Sequence, residues 1–245
     1  MRQISYAIFV ATCCAAVAQL SPAADAPDHR EGSHNPNPVL FAKDARPFGR
    51  SMTDWAQSEA QWLRSIPLAQ NPFYDQTGEF CALDQQGPVW FIPPIGGPSV
   101  FSGVRTCTVP HHKAIFLDIG HDTDEYPCPA LPHWQPAPGQ SLYDFLVKDD
   151  NPVMNSVNAL EVSLDGQPLS GVLAYRYISN DVFDLTSDLS LQAHDSCITG
   201  LPQQTLLDGF YMMFKPLDRG QHTIVVFGTN TFGDNKTYTY HLTVE

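Results

Sequence analysis

A chain of 245 residues with 43% hydrophobic, 11% aromatic and 16% charged side chains has enough apolar material for a sizeable core, which excludes a wholly disordered protein. Thirteen Lys and Arg against 26 Asp and Glu give a net charge of -13, so most of the surface repels a phosphate backbone and nucleic acid is excluded as a partner. No Gly-rich phosphate loop opens a helix anywhere, which argues against a nucleotide cofactor.

The N-terminus reads as an export signal. Arg2 precedes an uncharged stretch from Ile4 to Ala18, with the small residues Ala16 and Ala18 placed for cleavage before Gln19. The stretch is roughly 15 residues long, short of the about 20 that a bilayer-spanning helix needs, so the mature protein is expected to carry no membrane span. A secreted or periplasmic location follows, and Cys13 and Cys14 leave with the signal. Cys81, Cys107, Cys128 and Cys197 remain, an even set in an oxidising compartment that allows three pairings. No CxxC spacing indicates a redox dithiol or a zinc knuckle. The expected pairs are Cys81–Cys107, which flank two adjacent strands, and Cys128–Cys197, which tie a Pro-rich segment to the C-terminal half.

Residues 19–48 are rich in Ala, Pro, Asp, His and Asn and read as a flexible tether. A helix signal follows: Ser51 as cap, Asp54 three residues later, Pro67 as stop, and Trp55, Ala56, Ala60, Trp62, Leu63 and Ile66 along one apolar stripe. From residue 80 the period changes to that of strands, with β-rich runs at Val89–Ile92, Val104–Val109 and Ala114–Ile119 and a Gly-Gly-Pro turn at 96–98. Five prolines between 127 and 138 make an irregular surface crossing, and Ser141–Lys148 has the pattern of two helical turns. Further strands are expected at Leu160–Leu164, which runs into the tight turn Asp165-Gly166, and at Val172–Ile178, Phe210–Phe214, His222–Phe227 and Thr237–Val244. In the last of these Tyr238, Tyr240, Leu242 and Val244 share one face. The expectation is a mainly β, antiparallel β-sandwich, disulfide-bonded, with one packed N-terminal helix and a short second helix. It comprises a signal peptide at 1–18, a tether at 19–48 and a single domain at 49–245; two small β subdomains divided at the Pro-rich crossing are the rival arrangement.

Several blocks carry a family resemblance. Thr77-Gly78-Glu79-Phe80-Cys81, Gly87-Pro88-Val89-Trp90-Phe91 and Cys107-Thr108-Val109-Pro110, with the ending Pro216-Leu217, Gly220-Gln221-His222-Thr223-Ile224 and Tyr240-His241-Leu242-Thr243-Val244, resemble an uncharacterised family of secreted bacterial β-rich proteins. The resemblance spans about 50 to 245 and implies an exported fold with a disulfide around the first block; it implies no reaction.

The densest polar cluster is Asp118, His121, Asp122, Asp124 and Glu125, expected at the end of the strand Ala114–Ile119. Carboxylate oxygens suit a hard divalent ion and the added imidazole suits a transition metal, so these five are the candidate ligands of a divalent metal ion. EF-hand and HExxH spacings are absent, as is the G-x-S-x-G of an esterase nucleophile, and no catalytic residue is assigned. Trp134 and His133, set among prolines, are the candidate ligand-binding residues, since an aromatic plane on a stiff loop can stack on a sugar ring. Two functions stand at this point: a non-catalytic module that binds a glycan or another envelope or extracellular component, and a metal-assisted hydrolase that uses residues 118–125. The sequence carries no sign of an oligomeric state.

Overall fold

The computed structural model describes residues 35–96 and 102–245, apart from the side chains at 150 and 151. The signal peptide, the tether up to residue 34 and the turn residues 97 and 98 lie outside the described residues.

Helix α1, Met52–Ser65, begins where the sequence indicates. The Ser51 hydroxyl accepts from the Asp54 amide at 3.1 Å and the Asp54 carboxylate accepts from the Ser51 amide at 2.9 Å, which satisfies two of the amides a helix start leaves open. Helix α2, Leu142–Asn155, is capped by Ser141 but continues past Lys148 and through Pro152. Burial of Leu146 and Met154 outweighs the ladder bond that Pro152 cannot make.

The strands form two five-stranded sheets. One contains β1 (Val89–Ile92), β3 (Ala114–Tyr126), β8 (Gln203–Phe214), β6 (Arg176–Ile178) and β7 (Phe183–Leu185), with β8 paired to β3, β6 and β7. The other is ordered β2 (Ser102–Val109), β10 (Asn235–Val244), β9 (Gly220–Asn230), β4 (Val157–Leu164) and β5 (Gln167–Pro168). Between β1 and β3 the chain crosses to the second sheet to lay down β2, so β1 meets β3 in parallel, and β2 likewise meets β10 in parallel; the other pairings are antiparallel. Val172–Ile178 is strand only in β6, because a 3-10 turn over Val172–Ala174 takes its first half. Asp165 and Gly166 both adopt positive φ, as the two-residue turn between β4 and β5 requires.

The two sheets pack as a sandwich. Trp90, Leu117, Met212 and Phe214 from the first meet Val162, Ile224, Val226, Tyr240 and Leu242 from the second in one core. The outer face of the first sheet is covered too: Trp55, Ala56, Trp62 and Leu63 of α1 lie on Phe91, Phe116, Tyr211 and Met213. Trp90 and Phe91 point to opposite faces as expected of a strand, yet both are buried, because α1 turns the sandwich into three layers at this point. Both expected disulfides, Cys81–Cys107 and Cys128–Cys197, are present.

The segment read as tether is already docked at its C-terminal end. Leu40 is fully buried, Phe41 N–H donates to the Met213 carbonyl, and the Asn37 side chain bonds Ser170 in both directions. The short apolar run Val39-Leu40-Phe41 offsets the ordering cost of its polar surroundings by bridging to the end of β8. No helix among the described residues is long and apolar enough to cross a membrane.

Candidate functional site

The site lies on β3 and depends on an irregularity in that strand. Leu117 and Ile119 face the inter-sheet core, while Phe116 and Asp118 face α1. In a regular strand His121, three residues after Asp118, would point the other way. The register against β8 shifts between Asp118, opposite Tyr211, and Gly120, opposite Phe210, so Ile119 is an extra residue that re-phases everything after it. His121 thus falls opposite Gly209 on the α1 face, in line with Asp118. Its ring Nδ1 lies 2.5 Å from Asp118 Oδ2. In the tautomer that donates from Nδ1 to the carboxylate, Nε2 carries the lone pair.

The imidazole is set by packing as well as by that bond. It stacks on Tyr211 with centroids 6.3 Å apart and 17° between planes, and Tyr211 stacks in turn on Phe116 at 5.4 Å. Gly209 makes this possible, since a Cβ there would lie 2.6 Å from both His121 Cβ and the Tyr211 hydroxyl.

Glu59 comes down onto this pair from the buried face of α1. It is 0% exposed, and burial, with Asp118 adding its charge, holds its carboxyl well above the usual carboxylate range. Sequence reasoning passed over Glu59, although the signal was present: it stands three residues after Ala56 and four after Trp55, inside the apolar stripe, where an acid has no solvent to meet.

The five acidic and His residues of the 118–125 segment do not form one constellation. The segment is not a loop after a strand, because pairing with the long β8 carries β3 on to Tyr126 and alternation then divides its side chains. Asp118, His121 and Glu125 share the α1 face, whereas Asp122 and Asp124 take the other. Asp122 lies opposite Asp208, and burial raises its carboxyl above the usual range. Asp208 is bound by Arg176, whose Nε donates at 2.8 Å and whose terminal nitrogen forms a second contact. Glu125, further along β3, is approached by Arg64 of α1 at 3.6 Å and accepts from the Ser187 hydroxyl at 3.1 Å. Burial pushes its carboxyl up to about 7 in spite of Arg64.

A cavity of about 630 Å³ runs beside this segment. It exists because β1 ends opposite Leu117, where Pro93 and Pro94 break the strand, so among the described residues β3 from Asp118 onward is paired on the β8 side only. Gly120, His121 and Asp122 form part of the wall, Tyr74 and Arg64 another part, and Phe232 and Lys236 of the β9–β10 hairpin the rim. Phe232 is 72% exposed, and its turn is tied by Asn230, whose side-chain oxygen accepts from the amides of Phe232 and Asp234 at 3.0 Å each.

The Pro-rich crossing is arranged differently from the sequence expectation. His133 is exposed, but Trp134 is half-buried, with its ring 4.9 Å from that of Phe145 and its Nε1 donating to Asp149 at 2.9 Å. It borders a hollow of about 80 Å³, together with Asp124 and Glu125.

No protein-family model matches the chain, and no curated protein matches it. Similar solved structures include a cysteine protease inhibitor from Entamoeba histolytica, at 11% identity over 61% of this chain and 100% of that one with a TM-score of 0.22. Another is the solution structure of Amebosin, at 13% identity over the same shares with a TM-score of 0.19. Scores this low carry no argument about fold or function.

Proposed function

We propose that the chain is an exported, disulfide-bonded binding module for a glycan or other extracytoplasmic component, and that the ligand occupies the cavity beside β3. The observation that carries this reading is an exposed aromatic ring on the rim of a pocket of ligand size. The cavity, about 630 Å³, falls within the range of about 300–1,000 Å³ in which small molecules are held. Phe232 offers a plane on which a sugar face can stack, and Arg64, Asp122 and Lys236 offer donors and acceptors for hydroxyl groups. The Asn230 bonds hold the turn before any ligand arrives, so little conformational freedom is lost on binding. The two disulfides fit an oxidising compartment, which supports an exported location.

The test is retention on immobilised oligosaccharides with Phe232→Ala beside the unsubstituted protein. An exposed ring contributes little burial, so the variant should melt with the parent while losing most retention. Equal retention would refute the rim as the binding surface.

A hydrolase acting in the same cavity is the second reading, and one observation favours it: His121, oriented by Asp118, is part of the cavity wall. An imidazole so held can take a proton from water as a general base. Release of reducing ends from a soluble oligosaccharide that His121→Gln abolishes would support it; no release by the parent protein would refute it.

A further inference from the structure

The contact between α1 and β3 contains two buried carboxyl groups that their surroundings leave partly unsatisfied. Both carboxyl oxygens of Glu59 and Oδ1 of Asp118 are closed off from solvent without a hydrogen-bond partner among the described residues. A carboxylate in that condition is strongly unfavourable unless a cation or a proton completes it. His121 supplies one nitrogen on the same side, and one donor atom from each of Glu59, Asp118 and His121 can be chosen so that all three lie within 4.8 Å of one another. Glu59 reaches this point from a separate element, and no hydrogen bond among the described residues accounts for its position.

We propose that Glu59, Asp118 and His121 bind one first-row divalent transition-metal ion, of the class of Zn²⁺. Two carboxylates balance a doubly charged ion, and one imidazole with two oxygens is a donor set that such ions accept. Calcium is disfavoured because it takes about 6–8 oxygen ligands. Three protein donors leave a further position, and His121 borders the cavity, so the ion has a route of entry. The ligand set differs from the run of acids visible in the sequence, since Asp122 and Asp124 lie on the opposite face of β3. This site goes beyond the binding reading and does not depend on it.

The experiment uses the full mature chain stripped with chelator and then titrated with ZnCl₂, with bound zinc measured by mass spectrometry and Tm by calorimetry; CaCl₂ is the control. The expected result is one zinc per chain and a Tm higher by about 5–10 °C at a hundredfold excess over Kd. Calcium should leave Tm in place. Glu59→Gln keeps the shape of the side chain and should remove both the zinc and the shift. His121→Gln should do the same and replaces it as the test if Glu59→Gln does not fold. The double variant Asp122→Asn, Asp124→Asn should keep both, as should Phe232→Ala, which separates this outcome from any failure of glycan retention. Absence of bound zinc in the parent protein, or a shift undiminished in the folded variants, would overturn the site and leave the two acids sharing a proton. Loss of zinc in the Asp122/Asp124 double variant would overturn it as well, by moving the ion to the other face.

Discussion

Replacing Arg105 tests whether the walls of the cavity are held from inside the sandwich. This guanidinium on β2 is 1% exposed and donates to three carbonyls: Asp75 at 2.8 and 3.1 Å, Pro93 at 2.9 Å and Pro72 at 2.6 Å. The same short segments place Phe73, Tyr74 and Pro94 along the cavity, so one buried side chain fixes two stretches of its lining. Arg105→Met keeps the aliphatic stem near Tyr240 and removes every donor. The Pro93 carbonyl keeps the Tyr240 hydroxyl at 3.2 Å, so two carbonyls lose their donor; each buried carbonyl left without a partner costs about 1–3 kcal/mol, which sets a floor of about 2 kcal/mol. That is a large part of an ordinary folding stability of about 5–15 kcal/mol. Arg105→Lys should fall between the two, because a compact ammonium cannot span what a planar fork spans. Urea unfolding followed by tryptophan fluorescence gives the loss, and proteolysis near residues 72–96 shows where it is felt. A loss under about 1 kcal/mol, the size of a single ordinary hydrogen bond, would refute the reasoning.

Three further outcomes follow from the same structure. Loop-closure entropy makes Cys128–Cys197, with a separation of 69 residues, worth about 4.4 kcal/mol and Cys81–Cys107, with 26, about 3.5 kcal/mol. Urea unfolding of the two Cys→Ala pairs should reproduce that order, and the reverse order would place native packing ahead of chain entropy. Glu125 holds its proton to about 7 in the fold against 4.5 when unfolded, so the fold binds more protons within that window and stability falls as pH rises through it, by about 3 kcal/mol. Glu125→Gln should lessen the fall of Tm between about pH 5 and 8, the other raised carboxyls supplying what remains; an unchanged slope would assign it to them alone. Trp134→Ala should lower stability by about 1–3 kcal/mol, less than a fully buried tryptophan, and leave glycan retention intact. Retention lost at unchanged Tm would make the Pro-rich crossing the binding surface.

Where local chemistry decides, the sequence was legible. Ser51 and Asp54 announce the start of α1, Asp165-Gly166 announces its turn, and the alternation from Tyr238 to Val244 gives the buried face of β10. The pairing of four cysteines followed from the strands and loop they flank. Long-range partners decided the rest. Residues 120–126 are polar and look like a loop until β8 pairs with them, and nothing in the local sequence marks Ile119 as the extra residue that brings His121 round to Asp118. Nothing local to the Pro-rich crossing names a packing partner for Trp134, whereas Phe145, eleven residues on, receives its ring. Leu40 likewise gains a place only because Phe214 ends beside it. Glu59 was the exception, an acid in an apolar stripe that could have been noticed.

The parallel pairing of β2 with β10 has a consequence for how the protein comes into being. Thr237 is the register partner of Ser102, so β2 has no sheet to join until residues 135 positions later along the chain are available. The entropy of closing so long a loop must be met before the pairing returns anything, and topologies of this kind fold slowly. During that interval β2 presents an open row of backbone donors and acceptors beside Val104, which stays 57% exposed even in the finished fold. Biogenesis is therefore the stage at which this chain is most open to aggregation, and a holding factor for the unfolded chain should raise its yield more than any change to the finished surface.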